Sequence, residues 1–122
     1  MIGLTYQQVA NIISDICDEF EIGYAYYSFP TDQAPPLPYI VYFYPNREDF
    51  IADNENYRKV ETLVIELYSE TKNFELEQGF ESYLKDNGIV YDKTETFINK
   101  ENMFQCYYEA QVIIIPEELP ES

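Results

Sequence analysis

Asp49, Asp53 and Glu55 crowd into one short stretch, and Asp53-Asn54-Glu55-Asn56 superficially resembles a calcium loop. Such a loop needs a glycine at its turn and a bidentate glutamate at its twelfth position. Neither follows here, so no divalent-cation site is expected. With 23 acids in the chain, paired carboxylates are abundant. None lies in a glycine-rich or apolar motif that would tune its pKa. There is no histidine, so the usual general base at neutral pH is missing and nucleophile triads lose their common partner. Cys17 and Cys106 are the only cysteines. Neither belongs to a CxxC pair, and no histidine completes a zinc site. Both read as small buried hydrophobes, Cys17 on a helical stripe and Cys106 in a strand alternation; whether they pair with each other is left open. No phosphate-cradling glycine loop occurs. The residues point away from an enzyme, and no cofactor or metal is expected.

The elements must therefore position surfaces rather than reactive groups. At 122 residues the chain is one domain's worth, able to bury roughly two-thirds of its unfolded surface. Aromatic residues make up 17%, as 13 Tyr and 8 Phe without Trp, and tyrosine suits half-buried strands and protein interfaces. Seven bases against the 23 acids leave a formal charge of −16. That field opposes binding to phosphate backbones and keeps the free chain soluble. Two further readings of the charge are an acidic surface or channel wall, and mimicry of nucleic acid. No signal-peptide pattern and no apolar run of membrane-spanning length is present. The expected setting is a reducing cytoplasm without membrane association.

Thr5 followed by Gln8 fits a capping box, and behind it Val9, Ile12, Ile13, Ile16, Cys17 and Phe20 recur at helical spacing. A helix is predicted from Thr5 to Glu21, ended by Gly23. Tyr24–Phe29 reads as a strand. Thr31–Pro38 holds several prolines and reads as an extended turn; Pro35-Pro36-Leu37-Pro38 alone is poor evidence of a proline-rich ligand. Tyr39–Tyr44 is apolar at every position, which predicts a strand covered on both faces, the second by a helix or a neighbouring subunit. Asn46–Lys59 reads as a long charged loop. Val60–Glu70 alternates, with Leu63, Ile65 and Leu67 on the core face. A second helix is capped at Asn73 or Thr71, carries Phe74, Leu76, Phe80, Tyr83 and Leu84, and stops at Asn87-Gly88. Gly79 within it suggests close approach to the sheet. Ile89–Ile98 and Met103–Ile115 form a hairpin around Asn99–Asn102. The expectation is a single α+β domain over 1–115. It has a mixed or antiparallel sheet of about five strands and two packed helices in the order α-β-β-β-α-β-β. A short acidic tail follows over 116–122.

Several stretches together carry a resemblance. They are the leading helix, Pro38-Tyr39-Ile40-Val41-Tyr42-Phe43, Phe50-Ile51-Ala52-Asp53-Asn54, Tyr57-Arg58-Lys59 and Val64-Ile65-Glu66-Leu67-Tyr68. Asn87-Gly88-Ile89, the Tyr91-to-Thr96 strand and Phe104-Gln105-Cys106-Tyr107-Tyr108-Glu109 complete them. From about Leu4 to Ile115 the chain resembles the tail-completion, or tail-terminator, proteins of long-tailed bacteriophages and prophages of Gram-positive bacteria. The resemblance implies an α+β subunit of a ring, commonly of six copies, that caps the tail tube and joins it to the head connector. Its partners would be further copies of itself, the tail tube protein and the head–tail connector. Its place would be the head-proximal end of the virion tail, after assembly in the host cytoplasm. No catalytic residues carry over. The acids would line a lumen that does not hold passing DNA. A ring needs two different surfaces meeting head to tail. The expected interface is the doubly apolar strand, through Tyr39, Val41 and Phe43, with the charged loop, through Arg47, Phe50, Ile51, Tyr57, Arg58 and Lys59; Phe50, Ile51 and Tyr57 fit equally well as residues that pin the loop to its own domain. The alternatives are an acidic nucleic-acid mimic or inhibitor, and another adaptor or tube component of the same tail machinery.

Overall fold

The computed structural model describes residues 3–52 and 56–116, without the side chains of 50–52 and 56–58. The expected acidic tail lies outside the described residues, apart from Pro116. Helix α1 (Tyr6–Phe20) begins as the sequence dictates. The Thr5 hydroxyl accepts from the Gln8 N–H at 3.0 Å, and the Gln8 side chain accepts from the Thr5 N–H at 2.9 Å. Both bonds satisfy donors that a helix start leaves without partners. Its stripe of Val9, Ile12, Ile13, Ile16 and Cys17 is buried. Helix α2 (Phe74–Asp86) is capped by Asn73, whose side chain accepts from the Leu76 N–H at 3.1 Å. It ends where Gly88 adopts φ 74° and the Ile89 N–H reaches back to the Leu84 carbonyl at 2.9 Å. That left-handed step needs a residue without a Cβ.

The sheet holds β1 (Gly3–Leu4), β2 (Gly23–Tyr26), β3 (Tyr39–Ala52), β4 (Asn56–Ser69), β5 (Tyr91–Ile98) and β6 (Met103–Ile114). Their order is β1-β6-β4-β3-β2, and β5 pairs with β6 along the same edge as β1. β1 runs parallel to β6 and β2 parallel to β3, while the remaining pairs are antiparallel. The architecture is α+β with a mixed sheet, as expected, with one strand more than the five anticipated. The addition is β1, whose two residues show no periodicity; Leu4 is buried beside β6.

Both helices pack on one face. Ile40 and Tyr42 of β3, Leu63, Ile65 and Leu67 of β4, and Cys106, Tyr108, Ala110, Val112 and Ile114 of β6 join the helical stripes in one core. Phe80 and Tyr108 lie at its centre with ring centroids 4.8 Å apart. Gly79 marks a close approach, but to α1 rather than the sheet. A Cβ there would stand 2.3 Å from Cζ of Phe20. The two cysteines are buried and free.

Candidate functional site

The segment Asn46–Lys59, expected as a loop, is instead mostly paired strand. The β3–β4 ladder continues from Asn46 opposite Thr62 to Ala52 opposite Asn56. β6 accompanies β4 only as far as Lys59, and β2 accompanies β3 only as far as Tyr42. Past those points the two strands form a ribbon that extends beyond the sheet. A free ribbon is wet on both faces, so nothing requires the alternation of apolar and polar residues by which a strand is read from sequence. Its charged composition is compatible with pairing, and charges along an exposed edge discourage indiscriminate strand addition.

The ladder shifts between Phe43 and Asn46, where β3 carries an extra residue around Pro45. A proline lacks the N–H that a regular ladder requires and is accommodated at such a bulge. The bulge also reverses which face successive residues occupy. Tyr39, Val41 and Phe43 lie on the face away from the helices. Arg47 and Asp49, opposite Glu61 and Lys59, lie on the helix side. The nine expected interface residues therefore do not share one face. The side chains of Phe50, Ile51, Tyr57 and Arg58 lie outside the described ones; their backbones pair Phe50 with Arg58 and Ile51 with Tyr57. Arg47 Nε bonds Asp49 Oδ1 at 2.9 Å, an exposed pair that orients the guanidinium more than it stabilises the fold. Lys59 is exposed.

The outer cover of Tyr39–Tyr44 comes from the chain itself. Phe29 meets Tyr39 edge to face at 5.1 Å, and Tyr27 meets Phe43 at 5.6 Å. Val41 beneath them is only 7% exposed. Between this segment and the sheet lies an open cleft of about 450 Å³, lined by Pro30, Tyr39, Glu66, Tyr68 and Met103 among others. At its side the Gln105 amide donates to Glu66 Oε2 at 2.9 Å and to the Tyr68 hydroxyl at 3.0 Å. Burial pushes the Glu66 carboxyl up, and pushes the Tyr68 hydroxyl up to about 12.

The densest polar cluster joins α2 to β5 and β6. Glu77 is 3% exposed, and its Oε1 accepts from Lys72 at 2.6 Å and Lys93 at 2.8 Å. Lys72 also reaches Glu95, and Lys93 also reaches Glu81 at 2.7 Å. The Tyr108 hydroxyl donates to Glu81 at 2.7 Å. Burial pushes the Glu77 carboxyl up, but the lysine hydrogen bonds outweigh it and hold it below the usual range. Ligand atoms of Glu77, Glu95 and Cys106 lie within 4.8 Å of one another. Two ammonium groups already neutralise those carboxylates, so the chemistry is that of an internal ion network rather than a cation site. Burial pushes both the Cys17 and Cys106 thiols up to about 12, far from a reactive thiolate at neutral pH.

No family model matches the chain, and no curated protein matches it in sequence. Among solved structures, the fold is similar to a chain in the virion of a native gene transfer agent particle. The TM-score is 0.61 at 13% identity, over 86% of this chain and 91% of that one.

Proposed function

We propose that this chain is a structural protein of a phage-like particle, acting as a ring that caps the tail tube and joins the tail to the head connector. The observation that carries the reading is the fold it shares, over nearly its whole length, with a chain from a gene transfer agent virion. Its location is the head-proximal end of the virion tail, reached after assembly in the host cytoplasm. Its partners are its own copies, the tube protein and the connector. Sequence-specific nucleic acid and membranes are not among them.

Two features support a ring subunit. The ribbon extends beyond the sheet, as an element that reaches a neighbour must. Strand edges are also open among the described residues, including the outer edges of β5 and β2 and that of β3 beyond Tyr42. A head-to-tail contact uses two different surfaces of each copy and closes when the rotation permits. The ribbon, with Arg47, Phe50, Ile51, Tyr57, Arg58 and Lys59, supplies one surface of that contact. The acidic excess faces a lumen through which DNA passes without being held.

Native mass by light scattering, with electron microscopy of the same fractions, tests this. Closed rings of about six copies are expected, and Phe50→Ser with Ile51→Ser should release folded monomers. Open-ended tubes would replace the terminator with a tube subunit. A monomer that competes with DNA for a basic protein would replace it with the mimic.

A further inference from the structure

On the helix side of the sheet, at the root of the ribbon, four tyrosines and a buried carboxylate line an open cleft of about 560 Å³. This size lies within the range of about 300–1,000 Å³ typical of ligand sites. Tyr6 comes from the first turn of α1, Tyr26 from β2, Tyr42 and Tyr44 from β3, and Glu61 from β4. Their rings form a continuous chain. Tyr6 and Tyr44 meet edge to face with centroids 5.4 Å apart, Tyr44 and Tyr26 lie 6.0 Å apart, and Tyr26 and Tyr42 5.2 Å apart. Tyr6 is 37% exposed and Tyr26 53%, so rings flank the mouth as well as the base.

The carboxylate decides what such a cleft accepts. Glu61 is only 8% exposed. Its Oε2 accepts the Tyr6 hydroxyl at 2.6 Å, and no described cation forms an ion pair with it. Arg47 stands directly across the ladder from Glu61; its guanidinium bonds Asp49 and also reaches the Tyr6 hydroxyl, but forms no ion pair with Glu61 itself. A buried carboxylate without a cation is costly, and a positive group brought to it is correspondingly favoured. The faces of aromatic rings are negative and attract cations within about 6 Å of the centroid. Guanidinium suits both features, since it stacks on aromatic faces and matches a carboxylate through its fork of donors. The α1 N-terminus nearby favours negative charge, but Thr5 and Gln8 already take two of its N–H groups, and Glu61 supplies the anion.

We propose that this cleft is a docking site for an arginine side chain of a partner protein, held by the faces of Tyr6, Tyr26, Tyr42 and Tyr44 and by the Glu61 carboxylate. A protein rather than free arginine is the occupant because the cleft opens where the ribbon leaves the sheet. A partner lying along the ribbon passes its mouth. The site stands whether or not the chain forms a ring.

The test is an NMR titration of the full chain with N-acetyl-arginine amide, its neutral citrulline analogue, and an arginine-centred pentapeptide. The arginine amide should give saturable shifts confined to the cleft residues, weakened by added salt. The pentapeptide should bind more tightly than the amide; equal binding would overturn the choice of a protein occupant. The citrulline analogue should bind at least tenfold more weakly. Glu61→Gln and Tyr26→Ala should each weaken the arginine amide at least tenfold. Tyr26 is half exposed, so its variant keeps the fold, checked by its thermal transition, and decides the matter if Glu61→Gln does not fold. Unsaturating shifts spread over the acidic surface, equal binding of the citrulline analogue, or binding unchanged in Tyr26→Ala would each overturn the site.

Discussion

Replacing Gly79 by alanine sets two well-defined effects against each other. Gly79 lies in the middle of α2, where alanine is favoured over glycine by about 1 kcal/mol. A Cβ built there stands 2.3 Å from Cζ and 2.9 Å from Cε1 of Phe20, the last residue of α1. Distances this short require the ring to move. Phe20 is half-buried, and its ring lies edge to face with Tyr83 at 6.5 Å, so its displacement disturbs a packed neighbour. Overpacking of this kind costs about 1–3 kcal/mol. Subtracting the propensity gain leaves Gly79→Ala destabilising by up to about 2 kcal/mol. In a Phe20→Ala background the obstruction is gone and only the propensity remains, so the same substitution should stabilise by about 1 kcal/mol. The sign therefore reverses, and the coupling between the two positions is about 1–3 kcal/mol. Urea unfolding followed by circular dichroism, with all four proteins of the cycle, reads this directly. A stabilising Gly79→Ala in the wild-type background would refute the contact. A destabilising one in the Phe20→Ala background would refute the assignment of its cause.

Cys17 and Cys106, buried and protonated at neutral pH, should resist a disulfide reagent in the native state and react fully on unfolding; rapid native labelling would contradict their placement. Glu77 and Glu81 have folded pKa values below the ordinary one, so they stabilise above the carboxylate range, and that contribution is lost as pH falls through their folded values. Glu66 is raised and acts in the opposite direction, so the two lowered groups set the sign. Glu77→Ala should cost about 3 kcal/mol at neutral pH, the lower end for breaking a buried pair because Lys72 and Lys93 regain water, and should flatten the acid limb of stability. An unchanged acid limb would remove the network's role. If the chain forms the proposed ring, Arg47→Glu with Lys59→Glu should abolish its assembly and preserve the thermal transition of the monomer, as read by light scattering and circular dichroism; persistent rings would clear the ribbon's charges of any part in assembly.

Elements that bury a face were legible. The α1 stripe and the β4 and β6 alternations follow from residues forced to choose between core and water, while the Asn73 cap and β5, which buries no residue, were read from local turn and capping chemistry. The turn of the β5–β6 hairpin closes through Asn102, at φ 53°, whose N–H reaches the Asn99 carbonyl at 3.3 Å. Where that choice lapses, pattern carries no information. Pro45–Asp49 are all exposed, so there a charged strand and a charged loop read alike. β1 is too short to repeat anything. The partner of Gly79 was out of reach because a glycine announces a close approach without saying what approaches. Pro45 was the one available sign of the bulge. Its consequence, that Phe43 and Arg47 face opposite sides despite strand spacing, needed the register. The tyrosine cleft draws on α1, β2, β3 and β4, and no local pattern joins Tyr6 to Glu61 across 55 positions.

Where the bases sit constrains how copies can meet. Lys72 and Lys93 are consumed by the Glu77 network. Lys85 lies in the last turn of α2, where it complements the helix dipole, and Lys100 lies in the β5–β6 turn. The remaining three of the seven bases, Arg47, Arg58 and Lys59, all belong to the ribbon. Elsewhere the exposed surface carries a large excess of acid. A twofold contact places the same patch against itself. Within the ribbon Glu48, Asp49, Asp53 and Glu55 offset those three bases, so it is close to neutral, whereas body against body would oppose acids to acids. Like charges face to face oppose association. A near-neutral ribbon laid against the acidic body of the next copy avoids that obstacle. The charge distribution within one chain thus weighs against body-to-body dimers and leaves contacts through the ribbon, among them the head-to-tail contacts from which rings are built.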